Sequence, residues 1–214
     1  YPSMVGFQNN VEPQIEHAGR FELPQLRHPL LPADACVAND VQLGTQHTVL
    51  VLSGPNAGGK TVAMKAIGLA ALCVRAGLHV ACAQPARVDA VDAVLADIGD
   101  HQDIGESLST FSAHMVRLAE VVRVASPDCL IVLDEIGVGT DPGEGAALAQ
   151  SILEALAEAG ARVVTTTHYN LLKEMAAVDP RFCNASVEFD PETLAPTYRL
   201  RLGTPGISSA AAVA

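Results

Sequence analysis

Short apolar runs alternate with longer segments of helical composition along most of the chain. Three runs of strand length, bounded by glycine or polar residues, are residues 47–53, 129–133 and 161–167. Short β-branched runs such as residues 47–53, and the unbroken apolar run at residues 129–133, are typical of buried strands. Segments with helical length and spacing lie between or beside them: residues 60–76, 110–125 and 142–159. The alternation predicts an α/β fold in which a mostly parallel sheet is flanked by helices.

The remaining segments predict smaller elements. A short strand is expected at residues 79–82, and extended structure over residues 87–98. Residues 182–189 and 197–202 flank a turn-like Asp-Pro-Glu sequence and predict an antiparallel pair of strands. We therefore expect the parallel sheet to carry an antiparallel portion.

Composition also suggests how the chain is divided. Residues 1–25 are rich in proline and polar side chains, and we interpret them as a segment that leads in from a preceding lever or core domain. Residues 26–214 contain no internal repeat and no low-complexity linker, which indicates a single domain. The chain opens on Tyr1 rather than on methionine and stops within an apolar stretch, so we interpret it as a domain excised from a longer protein.

Composition and charge narrow the functional classes. Apolar residues make up 49% of the chain and charged residues 17%, which is typical of a packed globular protein. The formal net charge is −11, and we find no basic cluster longer than two residues. Such a surface repels a nucleic-acid backbone, so any DNA or RNA contacts of the full protein are expected in other domains.

Cysteine usage and hydropathy bear on location. The five cysteines are scattered and no C-x-x-C pair occurs, which argues against a disulfide framework or a zinc site. The sequence shows no signal peptide and no apolar span long enough to cross a membrane. We therefore expect reduced thiols in a cytoplasmic protein without a membrane partner.

The sequence GPNAGGKT at residues 54–61 follows the first predicted strand and opens the first predicted helix. It satisfies the phosphate-binding pattern G-x-x-x-x-G-K-[ST] in the strand–loop–helix context that this pattern requires. Its glycines let backbone N–H groups turn toward phosphate oxygens, and the helix N-terminus adds a favourable dipole. Lys60 would reach the β- and γ-phosphates of a nucleotide, and the Thr61 hydroxyl would ligate Mg²⁺. A glycine-rich turn without a ligand is the competing interpretation.

Two carboxylates, Asp134 and Glu135, directly follow the strand predicted at residues 129–133. A buried strand that ends in an acid delivers a carboxylate beside the phosphate-binding segment, where it can hold Mg²⁺ through water. Glu135 would point to the other side of the strand end, where it can orient and activate an attacking water. The alternative is a solvated acidic pair with no catalytic role.

Two further segments contain candidate site residues, His168 and Asp141. His168 closes the strand at residues 161–167, beside the strand that bears Asp134, so its imidazole could donate to a γ-phosphate; the alternative is a structural histidine. The sequence GVGTDP at residues 137–142 places Asp141 before a proline, as a helix cap. Spacing alone does not separate a capping loop from a functional one.

Serine and threonine at residues 107–110 precede or open the helix predicted at residues 110–125. Capping of that helix is the simpler interpretation. The functional alternative is that this helix N-terminus faces the γ-phosphate of a second nucleotide across a dimer interface.

Together these motifs resemble the ATPase domain of the MutS family, within the ABC-type ATPases. The resemblance is carried by GPNAGGKT at 54–61, STF at 109–111, LDE at 133–135 with GxGTDP at 137–142, and TTHY at 166–169. Residues 97–115, 139–149 and 184–200 are similar to the second bacterial branch of the family rather than to its mismatch-repair branch. Members of that second branch lack a mismatch-reading N-terminal domain and commonly end in a small nuclease-like Smr domain.

The resemblance implies a P-loop NTPase fold of the ABC type, with ATP and Mg²⁺ as cofactors and a homodimer that shares its ATP sites. It also implies a parent protein that suppresses homologous recombination or, in some bacteria, splits collided ribosomes. The implied catalytic residues are Lys60, Gln102, Glu135 and His168, and the implied Mg²⁺ ligands are Thr61 and Asp134. The implied nucleotide-binding positions are Val37, Gly54, Pro55, Asn56, Ala57, Gly58, Gly59, Lys60, Thr61 and Val62, with Ser109 serving the partner's nucleotide and Asp141 at the interface.

Two features depart from the family pattern. Mismatch-repair relatives place an aromatic residue near Cys36 to stack on adenine, whereas residues 36–38 offer only apolar packing, which leaves base selectivity open. The tail at residues 203–214 lacks the polar residues that usually follow Pro-Gly in the family.

A mismatch-repair ATPase and a nucleotide-sensing dimerisation module with little turnover are the alternative functions. The absence of an LSGGQ-like signature argues against an ABC transporter subunit.

Overall fold

Nine strands and four helices make up the described part of the chain. The computed structural model describes residues 10–16, 19–32, 34–99, 108–190, 192–193 and 195–205, with the backbone alone for Asn56 and for residues 108–111. The strands are β1 (Phe21–Leu26), β2 (Asn39–Leu43), β3 (Val49–Ser53), β4 (Arg87–Val88), β5 (Ala93–Asp97), β6 (Cys129–Leu133), β7 (Arg162–Thr167), β8 (Phe182–Phe189) and β9 (Pro196–Leu202). The helices are α1 (Lys60–Arg75), α2 (Leu108–Val124), α3 (Pro142–Glu158) and α4 (Asn170–Val178). None of the described helices has the length and apolar character needed to span a membrane.

Six strands form one central sheet in the order β5-β6-β7-β3-β8-β9. The neighbours from β5 to β8 run parallel, whereas β9 is antiparallel to β8. A separate sheet of three antiparallel strands has the order β2-β1-β4. This arrangement confirms the predicted α/β fold, with its mostly parallel sheet and antiparallel portion.

The two faces of the central sheet pack against different layers. Along β3, Leu50 and Leu52 belong to one apolar cluster, whereas Val49 and Val51 belong to the other, because successive side chains of a strand point to opposite faces. The first apolar cluster contains residues of α1 and of the three-stranded sheet, and the second contains residues of α2, α3 and α4. Burial on both faces explains why the sequences of β3 and β6 are nearly continuous apolar runs and why β7 consists mainly of β-branched residues.

The observed elements correspond closely to most of the predicted ones. β6 and β8 have the predicted bounds, and the other predicted strands and helices of the central sheet differ by one or two residues at their ends. The extended segment at residues 87–98 contains β4 and β5. β2 and α4 were not predicted, because a five-residue polar strand and a nine-residue helix are too short to give a clear period.

The strand predicted at residues 79–82 is wrong. Among the described residues, this segment forms only an isolated bridge between Val80 and Val11. Its other backbone groups have separate partners, since the Ala81 carbonyl accepts from the Arg27 N–H and the Ala83 N–H donates to the Pro24 carbonyl. The apolar residues of the segment are therefore buried without a strand ladder.

The division predicted after residue 25 falls inside β1. This strand pairs with β2 along one edge and with β4 along the other. Phe21 and Leu23 of β1 also belong to the first apolar cluster. The beginning of β1 is therefore packed together with the segment that follows it.

Candidate nucleotide-binding site

Three neighbouring strands of the central sheet end at one edge, where the predicted site residues gather. β6, β7 and β3 lie side by side and run parallel, so their carboxyl ends meet. The segment at residues 54–61 follows β3, Asp134 follows β6 and His168 follows β7. Loops that converge at this edge form the ligand site in open parallel sheets.

The segment at residues 54–61, which we term the phosphate loop, turns sharply between β3 and α1. A 3-10 turn spans Asn56–Gly58, and α1 begins at Lys60. Gly59 between them has a φ of 85°, and a Cβ at this position would lie 3.0 Å from Cδ1 of Tyr198. Only glycine fits this turn without strain, because the left-handed conformation disfavours a side chain.

The other predicted members of the phosphate loop differ in exposure. Gly54 and Pro55 are half-buried, Ala57 is exposed and Gly58 is buried. A Cβ at Gly58 would lie 2.9 Å from Cγ1 of Val187, so β8 supports the loop from behind.

Lys60 is buried at the start of α1. The residue is 2% exposed, and its Nζ donates to the Gly54 carbonyl over 2.5 Å. Burial lowers the pKa of Lys60, whereas the carboxylates of Glu135 and Asp134 raise it and the nearby Lys173 lowers it further. The Lys60 ammonium therefore lies within the electrostatic field of both predicted carboxylates.

Hydroxyl groups hold the Asp134 carboxylate from two sides. Thr61 Oγ1 donates to Asp134 Oδ2 over 3.2 Å, and Thr166 Oγ1 donates to Asp134 Oδ1. The backbone N–H of Glu135 donates to the same Thr166 hydroxyl over 2.9 Å. The carboxylate is therefore oriented toward the phosphate loop before any ligand binds, and its oxygens with the Thr61 hydroxyl are the donor type that Mg²⁺ prefers.

Glu135 has an unusual backbone conformation, with a φ of 47°. The left-handed region costs a residue with a Cβ about 1–2 kcal/mol. Residues in such sparsely populated conformations cluster at functional sites, where the surrounding structure holds them in place. Here the contact to Thr166 on one side and the buried Ile136 on the other anchor the turn.

The loop after Glu135 is fixed by Tyr169. The Tyr169 hydroxyl donates to the Gly137 carbonyl over 2.8 Å, and a Cβ at Gly145 would lie 2.3 Å from that same carbonyl oxygen. Burial is the main cause that raises the pKa of Tyr169, and the charges of Glu135 and Asp141 add to it, so the hydroxyl stays protonated as a donor. The loop thus packs tightly between α3 and the end of β7.

Asp141 ends this loop as the cap of α3, and His168 directly precedes Tyr169, which contacts the loop. Asp141 Oδ1 accepts from the backbone N–H groups of Gly143 and Glu144 at 2.9 and 3.3 Å, so the capping interpretation is correct for its local contacts. His168 follows β7 directly, is exposed, and has its ring centroid 4.3 Å from that of Tyr169. Its imidazole is accessible at the same sheet edge as Asp134.

A cavity of about 140 Å³ borders the end of the phosphate loop at Gly59 and the first turn of α1. Val37 and Val62, both predicted nucleotide-binding positions, are among its lining residues, together with Cys36 and Gly59. Tyr198 of β9 also lines this cavity and is 49% exposed. Its carbonyl accepts from Asn39 Nδ2 over 3.0 Å, and Asn39 Oδ1 accepts from the Leu200 N–H over 2.7 Å, so Asn39 ties β9 to β2 at this point.

Three predicted site residues lie wholly or partly outside the part of the chain that the structure describes. Gln102 lies outside the described residues. Ser109 lies in the first turn of α2, and its side chain is not among those described. The same holds for the side chain of Asn56 in the 3-10 turn.

Three site residues were not singled out from the sequence: Thr166, Tyr169 and Tyr198. The first two belong to the TTHY motif, and adjacency of β6 and β7 in the sheet is the signal that could have assigned Thr166 to Asp134. No local pattern marks Tyr198, which lies 139 positions beyond Gly59 and reaches it only through the pairing of β8 with β9.

A family model described as MutS domain V matches residues 50–213 of the chain. The chain belongs to the MutS family. Endonuclease MutS2 of Pelotomaculum thermopropionicum is 51% identical over 202 residues, which cover 94% of this chain and 26% of that protein. The putative endonuclease MutS2 of Bacillus subtilis is 47% identical over 199 residues, which cover 93% of this chain and 25% of that protein.

These findings confirm the family resemblance, including its second bacterial branch. The MutS-family chain carries the ATPase domain of the family and spans about a quarter of the length of these relatives.

Proposed function

We propose that this chain binds Mg·ATP at the phosphate loop and hydrolyses it. The observation that carries the proposal is the network in which Thr61 and Thr166 both donate to Asp134 while Glu135 donates to Thr166. The network holds the Asp134 carboxylate in place for a hydrated cation. Beside it lie Glu135, whose backbone is strained, and the buried Lys60. Phosphoryl transfer depends mainly on such positioning and charge stabilisation.

Each residue then has a distinct role. Lys60 releases the Gly54 carbonyl and binds β- and γ-phosphate oxygens, and the Thr61 hydroxyl and Asp134 carboxylate hold Mg²⁺ directly or through water. Bound Mg²⁺ would neutralise charge on the phosphate oxygens. Glu135 orients the attacking water and accepts its proton, and His168 donates to the γ-phosphate from the end of β7. In the same way Gln102 would contact the metal or the water.

The cavity beside the phosphate loop is our proposed site for the base of the nucleotide. Its apolar wall at Val37 and Val62 supports one face of a planar ring, and the exposed Tyr198 ring can stack on the other. Tyr198 would supply the aromatic contact that the sequence lacks near Cys36. Stacking alone favours any planar base, so it does not by itself distinguish adenine from guanine.

We further propose that the functional unit is a homodimer that shares its ATP sites. Ser109 and the first turn of α2 would contact the γ-phosphate bound by the partner subunit, with Asp141 at the same interface. A helix N-terminus that meets a phosphate is favourable, and a two-fold axis creates two equivalent sites.

The contacts with DNA or ribosomes that the family resemblance implies would then lie outside this chain, since its net charge of −11 opposes nucleic-acid binding. The endonuclease activity in the names of the MutS2 relatives would likewise lie outside it.

Mixing two inactive variants tests the shared site. Lys60→Met removes the phosphate-binding charge, and Ser109→Arg blocks the face offered to the partner. In a mixed dimer one site carries both defects and the other carries neither, so ATPase activity should return on mixing. Activity of the unmodified chain should also rise more steeply than linearly with concentration. Demonstrated heterodimers without activity would contradict the shared site, and tight ATP binding without turnover would instead favour a nucleotide-sensing module.

A further inference from the structure

A buried histidine–aspartate pair joins the edge of the central sheet to α2. Asp97 ends β5 and is 9% exposed, and His114 in the second turn of α2 is 3% exposed. His114 Nε2 lies against Asp97 Oδ2, and Nε of the exposed Arg117 lies 3.6 Å from Asp97 Oδ1. Asp97 therefore receives positively polarised groups from two successive turns of the same helix.

The pair lies between two parts of the candidate site. The Asp97 carbonyl accepts from the Asp134 N–H over 2.9 Å, and Asp97 lies opposite Leu133 in the β5–β6 ladder. On the other side, α2 begins at Leu108, and its first turn contains Ser109. Within one chain, the pair thus connects the strand end that bears Asp134 to the helix whose start bears Ser109.

Stability alone is a weak reason for a pair of polar, ionisable side chains at this place. Buried ion pairs lose hydration, and their replacement by apolar side chains of similar volume is often neutral or stabilising. α2 already has an apolar anchor, since Leu118 is 1% exposed and belongs to the second apolar cluster. An apolar contact tolerates small rotations and shifts of a helix, whereas contact between an imidazole nitrogen and a carboxylate oxygen is directional. A directional contact is useful where the start of the helix must be placed accurately.

We propose that Asp97 and His114 are positioning residues that set the rotation and register of α2, so that its first turn meets the nucleotide bound by the partner subunit. This inference rests on the shared ATP site proposed above. Neither residue needs to touch the nucleotide. Arg117 closes the exposed side of the pair and adds a weaker, solvent-screened contact.

The first test compares two substitutions on α2 in the full-length protein. His114→Leu should lower kcat by about 10- to 100-fold, the scale of a misplacement near one ångström. It should leave ATP affinity at the chain's own phosphate loop unchanged, whereas the thermal midpoint of unfolding should fall, because the buried Asp97 carboxylate loses one of its partners. The matched control, Leu118→Val, removes one methylene from the apolar anchor and should lower the midpoint by about 2–4 °C with kcat close to the parent value. His114→Gln, whose amide can still donate to Asp97, should recover much of the lost kcat.

The second test asks whose site the pair serves. A mixture of His114→Leu with Lys60→Met should regain activity, because one site of the mixed dimer then has an intact phosphate loop and an intact α2. If Ser109→Arg is rescued by Lys60→Met but His114→Leu is not, the pair acts on its own chain's site and the inference is overturned while the shared site stands. If neither variant is rescued, the shared site fails and this inference with it. An equal loss of kcat in Leu118→Val would also overturn it, because any loosening of α2 would then have the same effect.

Discussion

The nucleotide site that we propose has two halves, which are built in different ways. The phosphate half consists of residues 54–61 with Asp134, Glu135 and Thr166, and the base half is the cavity lined by Val37, Val62 and Tyr198. In the phosphate half, polar groups from three adjacent strand ends are already bonded to each other. In the base half, the lining comes from the loop after β1, from α1 and from β9, and is mainly apolar.

This difference concerns how each half recognises its ligand. Phosphate and Mg²⁺ require fixed charges and donors at set distances, which constrain both residue type and spacing. A base requires a flat apolar slot, which many combinations of residues provide. The phosphate half should therefore be sensitive to single atoms, and the base half to the size and shape of side chains.

Removal of the Lys60 charge should have the largest effect on ligand affinity. Lys60→Met should weaken ATP binding by at least about 10- to 100-fold, the range for a lost hydrogen bond to a charged group. The matched control is Lys65→Met, since Lys65 is an exposed lysine of the same helix. Equilibrium ATP binding gives the affinity of both variants, and circular dichroism shows whether each is folded, so a loss of affinity can be distinguished from a loss of fold. Equal ATP affinity in folded Lys60→Met would show that the phosphate half is not the binding site.

Substitution of Asp134 should act through the metal. Asp134→Asn keeps an oxygen acceptor for one of the two threonines and offers the other an amide donor, but it removes the negative charge. The gain in nucleotide affinity on adding Mg²⁺ should therefore fall by about 10- to 100-fold, as for groups that hold a bound metal through water. Affinity without Mg²⁺ should stay near the parent value. Asp128→Asn, at the exposed turn before the opposite end of β6, is the control. An unchanged Mg²⁺ dependence in Asp134→Asn would place the metal elsewhere.

The base half should respond to the Tyr198 ring rather than to its hydroxyl. Tyr198→Ala should weaken ATP binding by about 5- to 100-fold, given roughly 1–3 kcal/mol for a base stacked on an aromatic side chain. Tyr198→Phe should bind ATP like the parent chain. Competition by inorganic triphosphate, which reaches only the phosphate half, should be the same in all three proteins. Weaker triphosphate binding in Tyr198→Ala would mean that Tyr198 acts through Gly59 and the phosphate loop instead.

Chemical labelling gives the smallest expected effect. The half-buried Cys36 lines the base half, so bound ATP should slow its alkylation several-fold at pH 8. Cys82 is the internal control, because burial raises its pKa to about 11 and leaves almost no thiolate at that pH with or without ATP. Mass spectrometry of labelled peptides reports both rates. Equal alkylation of Cys36 with and without ATP would argue against a base in this cavity.

The same contrast explains what the sequence could predict. The strands β3 and β6 are apolar runs and β7 is a β-branched run because both faces of each strand are buried, and each strand is followed at once by the polar residues that its end presents. Sequence order and parallel pairing therefore suffice to bring Lys60, Asp134 and His168 together. Tyr198 and Asn39 lie on short polar strands whose partners are far away in the chain, so no local period marks them.

The left-handed turn at Glu135 was equally hidden in the sequence. Its conformation depends on the Thr166 hydroxyl of the neighbouring strand and on the packing of Tyr169 against Gly137, which are contacts between distant segments. The strand predicted at residues 79–82 failed for a related reason, since among the described residues this short apolar segment meets no neighbouring strand beyond the single bridge between Val80 and Val11.

Hydrolysis of bound Mg·ATP by Glu135→Gln tests the central claim most directly. The full-length protein would be loaded with Mg·ATP, quenched at intervals and assayed for ADP. The control is Glu154→Gln, which changes a glutamate whose side chain accepts from Gln150 on α3. We expect Glu135→Gln to retain ATP affinity near the parent value and to hydrolyse the bound nucleotide about 10²- to 10⁴-fold more slowly, the scale for a positioned general base. The control should hydrolyse at the parent rate. Hydrolysis at the parent rate by Glu135→Gln would contradict the account, because the water would then be activated by another group.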